Sequence, residues 1–414
     1  MIESGCAPKL DLRMKKRRNE EKMKSLESTL KIKARGIIHN VQGKFEKRMV
    51  NARLANYDPH VIHNAKPKQI VSIVFVIERM ALYSGGQTSI LRLGTKLSEL
   101  GYKVGYVVYK KQSKEAMEEI AGRNLKGYKG TMYTRSDMAK IRADVVIASS
   151  WDTVSFAKKM HGYKMYFVQD YEPYFFSFGE LFMMAKKTYE QGLHMVSLGQ
   201  WNKEMVLKNC SEMTYINIDT IDFPYEKKEY PEVNRDYYSY PKKKEFIFAV
   251  YLKYYGKRFP NITQYLLKQV KEEFKKDGIN LILKYYGEDK SFACEGGTNL
   301  GVLNKKELFE LYKEADFGFV ASMSNISLVP YEMLATGLPV IEFEDGTFPY
   351  FFPENSAILT TLSYKDLYHR IKVAIMNPSI LEEMNKNAKN HLSTLSWDKS
   401  ANQFHEILKS VLRD

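Results

Sequence analysis

The residues best suited to chemistry lie where apolar runs end. Residues 315–344, ADFGFVASMSNISLVPYEMLATGLPVIEFE, carry a buried run to Ser322 and pass through the small polar residues Ser324, Asn325 and Ser327. They then open a short helix over Pro330–Ala335, with proline near its start. Hydroxyls and amides beside the free N–H groups of a helix start suit a phosphate. Glu332 sits one turn inside that helix among apolar neighbours, where a carboxylate needs a partner; a ribose hydroxyl pair would serve, and so would a cap or a salt bridge. Farther back, AVYLKYYGKRF sets Lys253, Lys257 and Arg258 just beyond another apolar run. Cations there can neutralise a diphosphate, and arginine can grip it with two parallel bonds, although a solvated loop has the same composition. A third loop, Ser84-Gly85-Gly86-Gln87-Thr88, opens a helix with glycines whose N–H groups can meet an anion or a sugar hydroxyl. Asp170 and Glu172 follow a fourth apolar run, where they can position a substrate or simply turn the chain before Pro173.

The elements that position these loops form two series. Strand-like runs at 70–77, 103–109, 143–150, 164–170, 194–199 and 214–218 alternate with helical stretches such as Thr88–Leu100 and Phe178–Gln191. After a proline- and charge-rich break at 223–245, runs at 245–251, 279–287, 316–322, 339–344 and 356–361 alternate with helices again. Strands apolar on both faces, separated by helices, predict mostly parallel sheets covered on both sides: an α/β chain of two doubly wound, Rossmann-like domains. Such sheets bind ligands at the carboxyl ends of their strands, so two of them face to face make a cleft with a site on each wall.

Composition bounds the rest. The chain has 414 residues, 44% hydrophobic and 13% aromatic, which is globular, and a net charge of +14. Residues 1–70 hold 17 Lys/Arg against 7 Asp/Glu, so most of the charge belongs to an extension. Within it Met23, Leu26, Leu30, Ala34, Ile37, Val41, Phe45 and Met49 recur at helical spacing, predicting an amphipathic helix over 20–52 that docks either on an anionic bilayer or on its own protein. No aromatic-rich nucleic-acid module accompanies the charge, and nucleic acid is not an expected partner. The three cysteines, Cys6, Cys210 and Cys294, have no disulfide or zinc spacing, and no apolar run reaches the length of a membrane span. The expected location is cytoplasmic, peripheral on the inner membrane face. GxGxxG, GxxxxGK[ST], DxD, HExxH and GxSxG are all absent, which removes support for a nicotinamide dehydrogenase, a P-loop NTPase, a metal-dependent transferase, a zincin and a serine hydrolase.

Taken in order, the Gly-Gly loop, the basic residues, NLGVLNKKELFELYKEADFGFVAS, YEMLATGLPVI and a closing Ser396-Trp397 helix resemble the GT-B glycosyltransferases of the large retaining family four over roughly residues 70–414. YFVQDYEP (166–173) and PYEMLATG (330–337) further resemble bacterial rhamnosyltransferases of cell-surface glycan synthesis. The resemblance implies an extension at 1–65, an acceptor domain at 66–228, a linker at 229–244, a donor domain at 245–395, and a helix at 396–414 crossing back to the first domain. It implies that Lys253 and Arg258 contact the donor diphosphate with Asn325, Ser327 and Leu328. Gly301, Val302 and Leu303 would face the base and Glu332 the ribose. Gly85, Gly86, Gln87, Asp170 and Glu172 would lie on the acceptor or sugar side, with Asp170 also placed among the catalytic groups. The family carries two glutamates eight positions apart; the first is replaced here by Ser324, so the carboxylate that would contact the sugar is missing or comes from elsewhere. The implied activity is transfer of L-rhamnose from dTDP-L-rhamnose, or of another dTDP- or UDP-linked sugar, to a lipid-linked or oligosaccharide acceptor, with no metal or organic cofactor. Two other readings stand beside it: a sugar-nucleotide epimerase of the same fold, and a non-catalytic, membrane-associated glycan-binding protein.

Overall fold

Strands such as Ser72–Ile77 and Lys103–Val108 are apolar on both faces because helices cover both. The computed structural model describes residues 43–44, 47–210, 216–226, 230–254 and 256–413. Of the amphipathic helix expected over 20–52, residues 43–44 and 47–52 are described and helical, and the rest lies outside the described residues.

Two compact units divide at residue 57. The second, Asp58–Asp414, holds two wholly parallel sheets. The first sheet runs β3 (Thr131–Tyr133), β2 (Lys103–Val108), β1 (Ser72–Ile77), β4 (Arg142–Ala148), β5 (His161–Val168), β6 (His194–Leu198), β7 (Ile218–Ile221). The second runs β10 (Thr298–Asn299), β9 (Asn280–Tyr286), β8 (Glu245–Tyr251), β11 (Phe317–Phe319), β12 (Val340–Phe343), β13 (Ile358–Thr360). Each order reverses direction once, between β1 and β4 and between β8 and β11. In such sheets the crevice for a ligand opens at that reversal, beyond the strands' carboxyl ends.

Helices α1 (Gly85–Glu99), α2 (Lys114–Asn124), α3 (Val154–Lys159), α4 (Glu180–Thr188) and α5 (Gln200–Asn209) serve the first sheet. Helices α6 (Pro260–Lys276), α7 (Lys305–Glu314), α8 (Leu328–Ala335), α9 (Tyr364–Met376) and α10 (Pro378–Leu392) serve the second. The final helix, α11 (Trp397–Arg413), returns to the first domain, where His405 meets the Tyr102 hydroxyl at 2.7 Å and Gln403 accepts the Asp222 N–H at 2.8 Å.

Several boundaries differ from the sequence reading for identifiable reasons. Helix α1 begins at Gly85 rather than Thr88, so the two glycines are its first turn and not the loop before it. Its Gly94 lets Tyr106 of β2 approach so closely that a Cβ there would stand 2.2 Å from the phenolic oxygen. Strand β11 stops at Phe319, freeing residues 320–327 to form a loop. The extension is shorter than the 1–65 expected, because residues 58–64 belong to the first domain: Lys158 pairs with Asp58 at 3.1 Å, and Asn64 exchanges bonds with the Lys164 backbone at 2.6 and 2.7 Å. Among the described residues no helix is long and apolar enough to cross a membrane.

Candidate active site

The turns leaving β8 and β11 meet at the reversal point of the second sheet. Arg258 is buried there, its Nη1 donating to the Ala321 carbonyl at 3.2 Å. The turn that presents it is strained. Phe259 has φ 42, a left-handed conformation that bulky residues avoid and that sits poorly before proline, and Pro260 immediately opens α6. Strain of this kind, held in place by surrounding structure, concentrates at functional sites. Tyr83, with φ 54, marks the corresponding exit beside the Gly85-Gly86 turn of the first domain.

Beside Arg258 the 322–327 loop leads into α8. The loop is fixed from behind: Glu342 of β12 accepts the Ser322 N–H at 2.9 Å and its hydroxyl at 2.7 Å, while the Thr347 hydroxyl donates to the Ser324 carbonyl at 2.6 Å. Ser327 is the N-cap residue of α8 but makes no cap bond, and its hydroxyl is buried without a partner. The side-chain oxygen of Asn325 is buried in the same state. First-turn N–H groups have no partner within their own helix, so an unspent hydroxyl and a helix start lie on the loop that buried Arg258 bonds, a combination whose chemistry suits an anion. Glu332, one turn along, is partly buried, with the Tyr312 hydroxyl 3.4 Å from its carboxylate. Gly301 holds φ 86 and takes the Gly287 N–H on its carbonyl at 2.8 Å; Val302 is exposed and Leu303 half-buried.

The first domain reaches across with Asp170, just beyond β5. Its carboxylate accepts from the Lys257 ammonium at 2.6 Å, the Ser324 hydroxyl at 3.1 Å and the Asn325 N–H at 3.0 Å. Asn325 also donates its side-chain amide to the Gln169 and Leu198 carbonyls at 2.6 and 3.1 Å. Phe351 packs so tightly on Gly199, at the end of β6, that a Cβ there would lie 2.3 Å from the ring. The residues expected on opposite walls are thus in direct contact, with a carboxylate bonded to Ser324.

Three expected site residues have other partners in this structure. Glu172, expected on the acceptor side, is buried, taking the Trp151 N–H and the Tyr166 hydroxyl on one oxygen. Gln87 spends its amide on its own loop, donating to the Arg79 carbonyl at 2.6 Å and accepting the Ala81 N–H at 2.7 Å. Lys253 lies near enough to Glu288 to lower that carboxyl's pKa, and Lys257 is the lysine that reaches Asp170. Gly85 and Gly86 are exposed, with the Gln169 amide 3.5 Å from where a Gly86 Cβ would stand. Sequence reasoning did not single out Glu342, although a glutamate inside the apolar run VIEF signals a buried charge that needs partners.

Burial pushes the carboxyls of both Glu172 and Glu342 up to about 8; bonds from Ser322 and the charge of Arg258 hold Glu342 back from rising further. In the unfolded chain each would lose its proton near 4.5. Between those values the folded protein keeps protons that the unfolded chain has released, so stability falls as pH rises from 4.5 toward 8 and then levels. Thermal melts across that range should show a declining Tm, with a shallower decline in Glu342→Gln. A Tm that climbs through the window contradicts the assignment.

HepE of Anabaena, solved in complex with UDP-glucose, superposes with a TM-score of 0.63 at 13% identity, covering 82% of this chain and 99% of that one. A glycosyltransferase from Rickettsia africae matches at 0.60 and 13%, covering 84% and 100%. Sucrose-phosphate synthase from Thermosynechococcus elongatus matches at 0.58 and 14%, covering 83% and 99%. The fold is that of the GT-B glycosyltransferases. In this GT-B fold the site just described lies where the two domains face each other. Among curated proteins, an O-antigen biosynthesis protein, RfbC of Myxococcus xanthus, is 24% identical over 298 residues, 67% of this chain. The chain spans about a fifth of that relative, 21% of its length. No established family profile matches the chain.

Proposed function

We propose that the chain is a glycosyltransferase that moves a hexose, with L-rhamnose from dTDP-L-rhamnose as the leading candidate, from a nucleoside diphosphate to a growing cell-surface glycan. The observation that carries this is the anion-receiving group at the end of the second sheet: the start of α8, the partnerless Ser327 hydroxyl and buried Arg258. The GT-B fold, the UDP-sugar in the HepE crystal and the O-antigen role of the Myxococcus relative support the same chemistry.

Breaking a sugar–diphosphate bond builds negative charge on the departing phosphate and positive charge on the ring. Arg258 and the first-turn N–H groups of α8 meet the former without reorganising, which lowers the barrier. Glu332 holds the ribose, and the backbone at Gly301–Leu303 flanks the base. Asp170, hydrogen-bonded to Ser324, supplies from the first domain the carboxylate that position 324 lacks, beside the ring where cationic character grows. The acceptor attacks on the face that the phosphate leaves, and the phosphate helps to take its proton. No metal takes part in this reading.

Thermal melts with UDP and dTDP, each with and without EDTA, test it first. Millimolar nucleotide should raise Tm by mass action whether or not chelator is present, and Glu332→Gln should blunt the shift. Hydrolysis of a nucleotide-sugar panel then ranks the donors, with dTDP-rhamnose expected first. An unchanged melt with every nucleotide removes the donor site, and turnover abolished by EDTA defeats the metal-free mechanism.

A further inference from the structure

Between β5 and α4 the chain turns a set of aromatic rings outward beside the site. Tyr171, Glu172 and Pro173 are buried, and Phe176 packs edge-on against Trp151 with centroids 5.7 Å apart, so the segment is anchored from inside. From that base Tyr174, Phe175 and Phe178 project outward, 43%, 42% and 83% exposed, followed by Met183 at 40%. Phe178 lies against Phe182, centroids 5.4 Å apart. A rigid mount holding phenylalanine in water gains nothing for the fold, since the exposed rings forgo the stabilisation that burial gives.

We infer that this aromatic face docks on an anionic lipid bilayer and holds the site at the membrane surface. Two observations select a bilayer over a glycan or a protein groove. A glycan needs polar partners, yet from Tyr174 to Met183 the sequence is YFFSFGELFM, whose polar side chains are Ser177, Glu180 and the Tyr174 hydroxyl. The surrounding charge is basic: α4 closes with Lys186 and Lys187, and α5, whose Trp201 touches Tyr174, carries Lys203 and Lys208. Against these four lysines stand Glu180, Glu204 and, just past α4, Glu190, which pairs with Lys187 at 2.5 Å, so the excess is one positive charge. Exposed aromatic rings beside helices with a small lysine excess match the interface of an anionic membrane, where the rings enter the headgroup boundary and ammonium groups meet lipid phosphate. The face is continuous with the site, because the Lys257 ammonium that pairs with Asp170 stands 3.9 Å from the centroid of the Phe175 ring. A substrate anchored in the bilayer would therefore present its head to Asp170 without leaving the membrane; this last step rests on the transferase reading, and the docking itself does not.

The test uses the full chain and vesicles of phosphatidylcholine with or without phosphatidylglycerol. Phe178→Glu, at an exposed position outside the site, should weaken partitioning onto phosphatidylglycerol vesicles by roughly tenfold or more, since an apolar ring is lost and a like charge is added. Both proteins keep the basic N-terminal segment, so the difference reports the aromatic face alone. Phe178→Trp should gain fluorescence quenching by brominated lipid beyond that of the native tryptophans. Unchanged partitioning together with no added quenching overturns the inference, as does equal binding to vesicles lacking phosphatidylglycerol. A Phe178→Glu protein that binds vesicles normally but loses a soluble oligosaccharide acceptor would make the face a glycan platform instead. Nucleotide-induced stabilisation should be the same in Phe178→Glu and wild type, so failure of the donor site and failure of membrane docking are read separately.

Discussion

Replacing Arg258 with alanine is expected to lower kcat between roughly tenfold and somewhat more than a hundredfold while leaving the protein folded and able to bind nucleotide. The size follows from charge-assisted hydrogen bonds, worth about 1.5–3 kcal/mol, placed where charge grows only as the diphosphate departs. An interaction made in the transition state and not in the ground state appears in kcat. The fold should survive because, among the described residues, Arg258 makes one hydrogen bond, to a backbone carbonyl. Its loss leaves Glu342, already pushed up to about 8, more firmly protonated and therefore uncharged. Arg258→Lys should recover part of the rate, restoring the charge without the two-pronged grip. Glu332→Gln provides the contrast: the proposed ribose contact exists before and after transfer, so its effect should fall chiefly on KM and nucleotide affinity. Initial rates with calorimetric nucleotide affinities separate the two, and wild-type turnover in a folded Arg258→Ala protein would remove the arginine from the mechanism.

The layering of the fold was legible because buried parallel strands leave an unmistakable mark: EFIFAVY and KVGYVV are apolar on both faces, and only a sheet covered on both sides tolerates that. The edge strands Thr131–Tyr133 and Thr298–Asn299 were not, since two or three residues carry no periodicity. At the site, Arg258, Asn325, Ser327 and Glu332 could be picked out as polar residues at the ends of apolar runs. Which of them meet could not. Asp170 and Lys257 are separated by 87 positions and joined by a contact between domains, a distance that no pattern along either strand encodes. Asp170 and Glu172 read alike, two acids after one strand. The difference arises in the 3-10 turn Glu172–Phe175, which carries Glu172 inward to Tyr166 and leaves Asp170 at the junction. Position 324 shows the same limit: the missing glutamate was visible, but the carboxylate hydrogen-bonded to Ser324 comes from the other domain.

Asp170→Asn should destabilise the protein by about 3 kcal/mol, at the lower end of the range for breaking a buried ion pair, because both partners keep some exposure. Asparagine preserves the shape and can still accept the Asn325 N–H, so the loss isolates the charge: Lys257, mostly buried against Phe175, is left without its counter-ion. Burial already pulls the Lys257 ammonium below the ordinary lysine range, and Asp170 is the largest influence opposing that pull. Without it the lysine either stays charged at a desolvation cost or gives up its proton, and both routes weaken the junction. Lys257→Met should cost less, since Asp170 retains the Ser324 hydroxyl and the Asn325 N–H. The double variant, with no buried charge to strand, should be more stable than the sum of the single losses by about 1–3 kcal/mol, the coupling expected of groups in direct contact. Urea unfolding of the four proteins at pH 7 measures that coupling. Additive losses, or an Asp170→Asn protein as stable as wild type, would mean that the contact between Asp170 and the second domain does not hold the two halves together, and the carboxylate assigned to the sugar would lose the anchor that fixes its position.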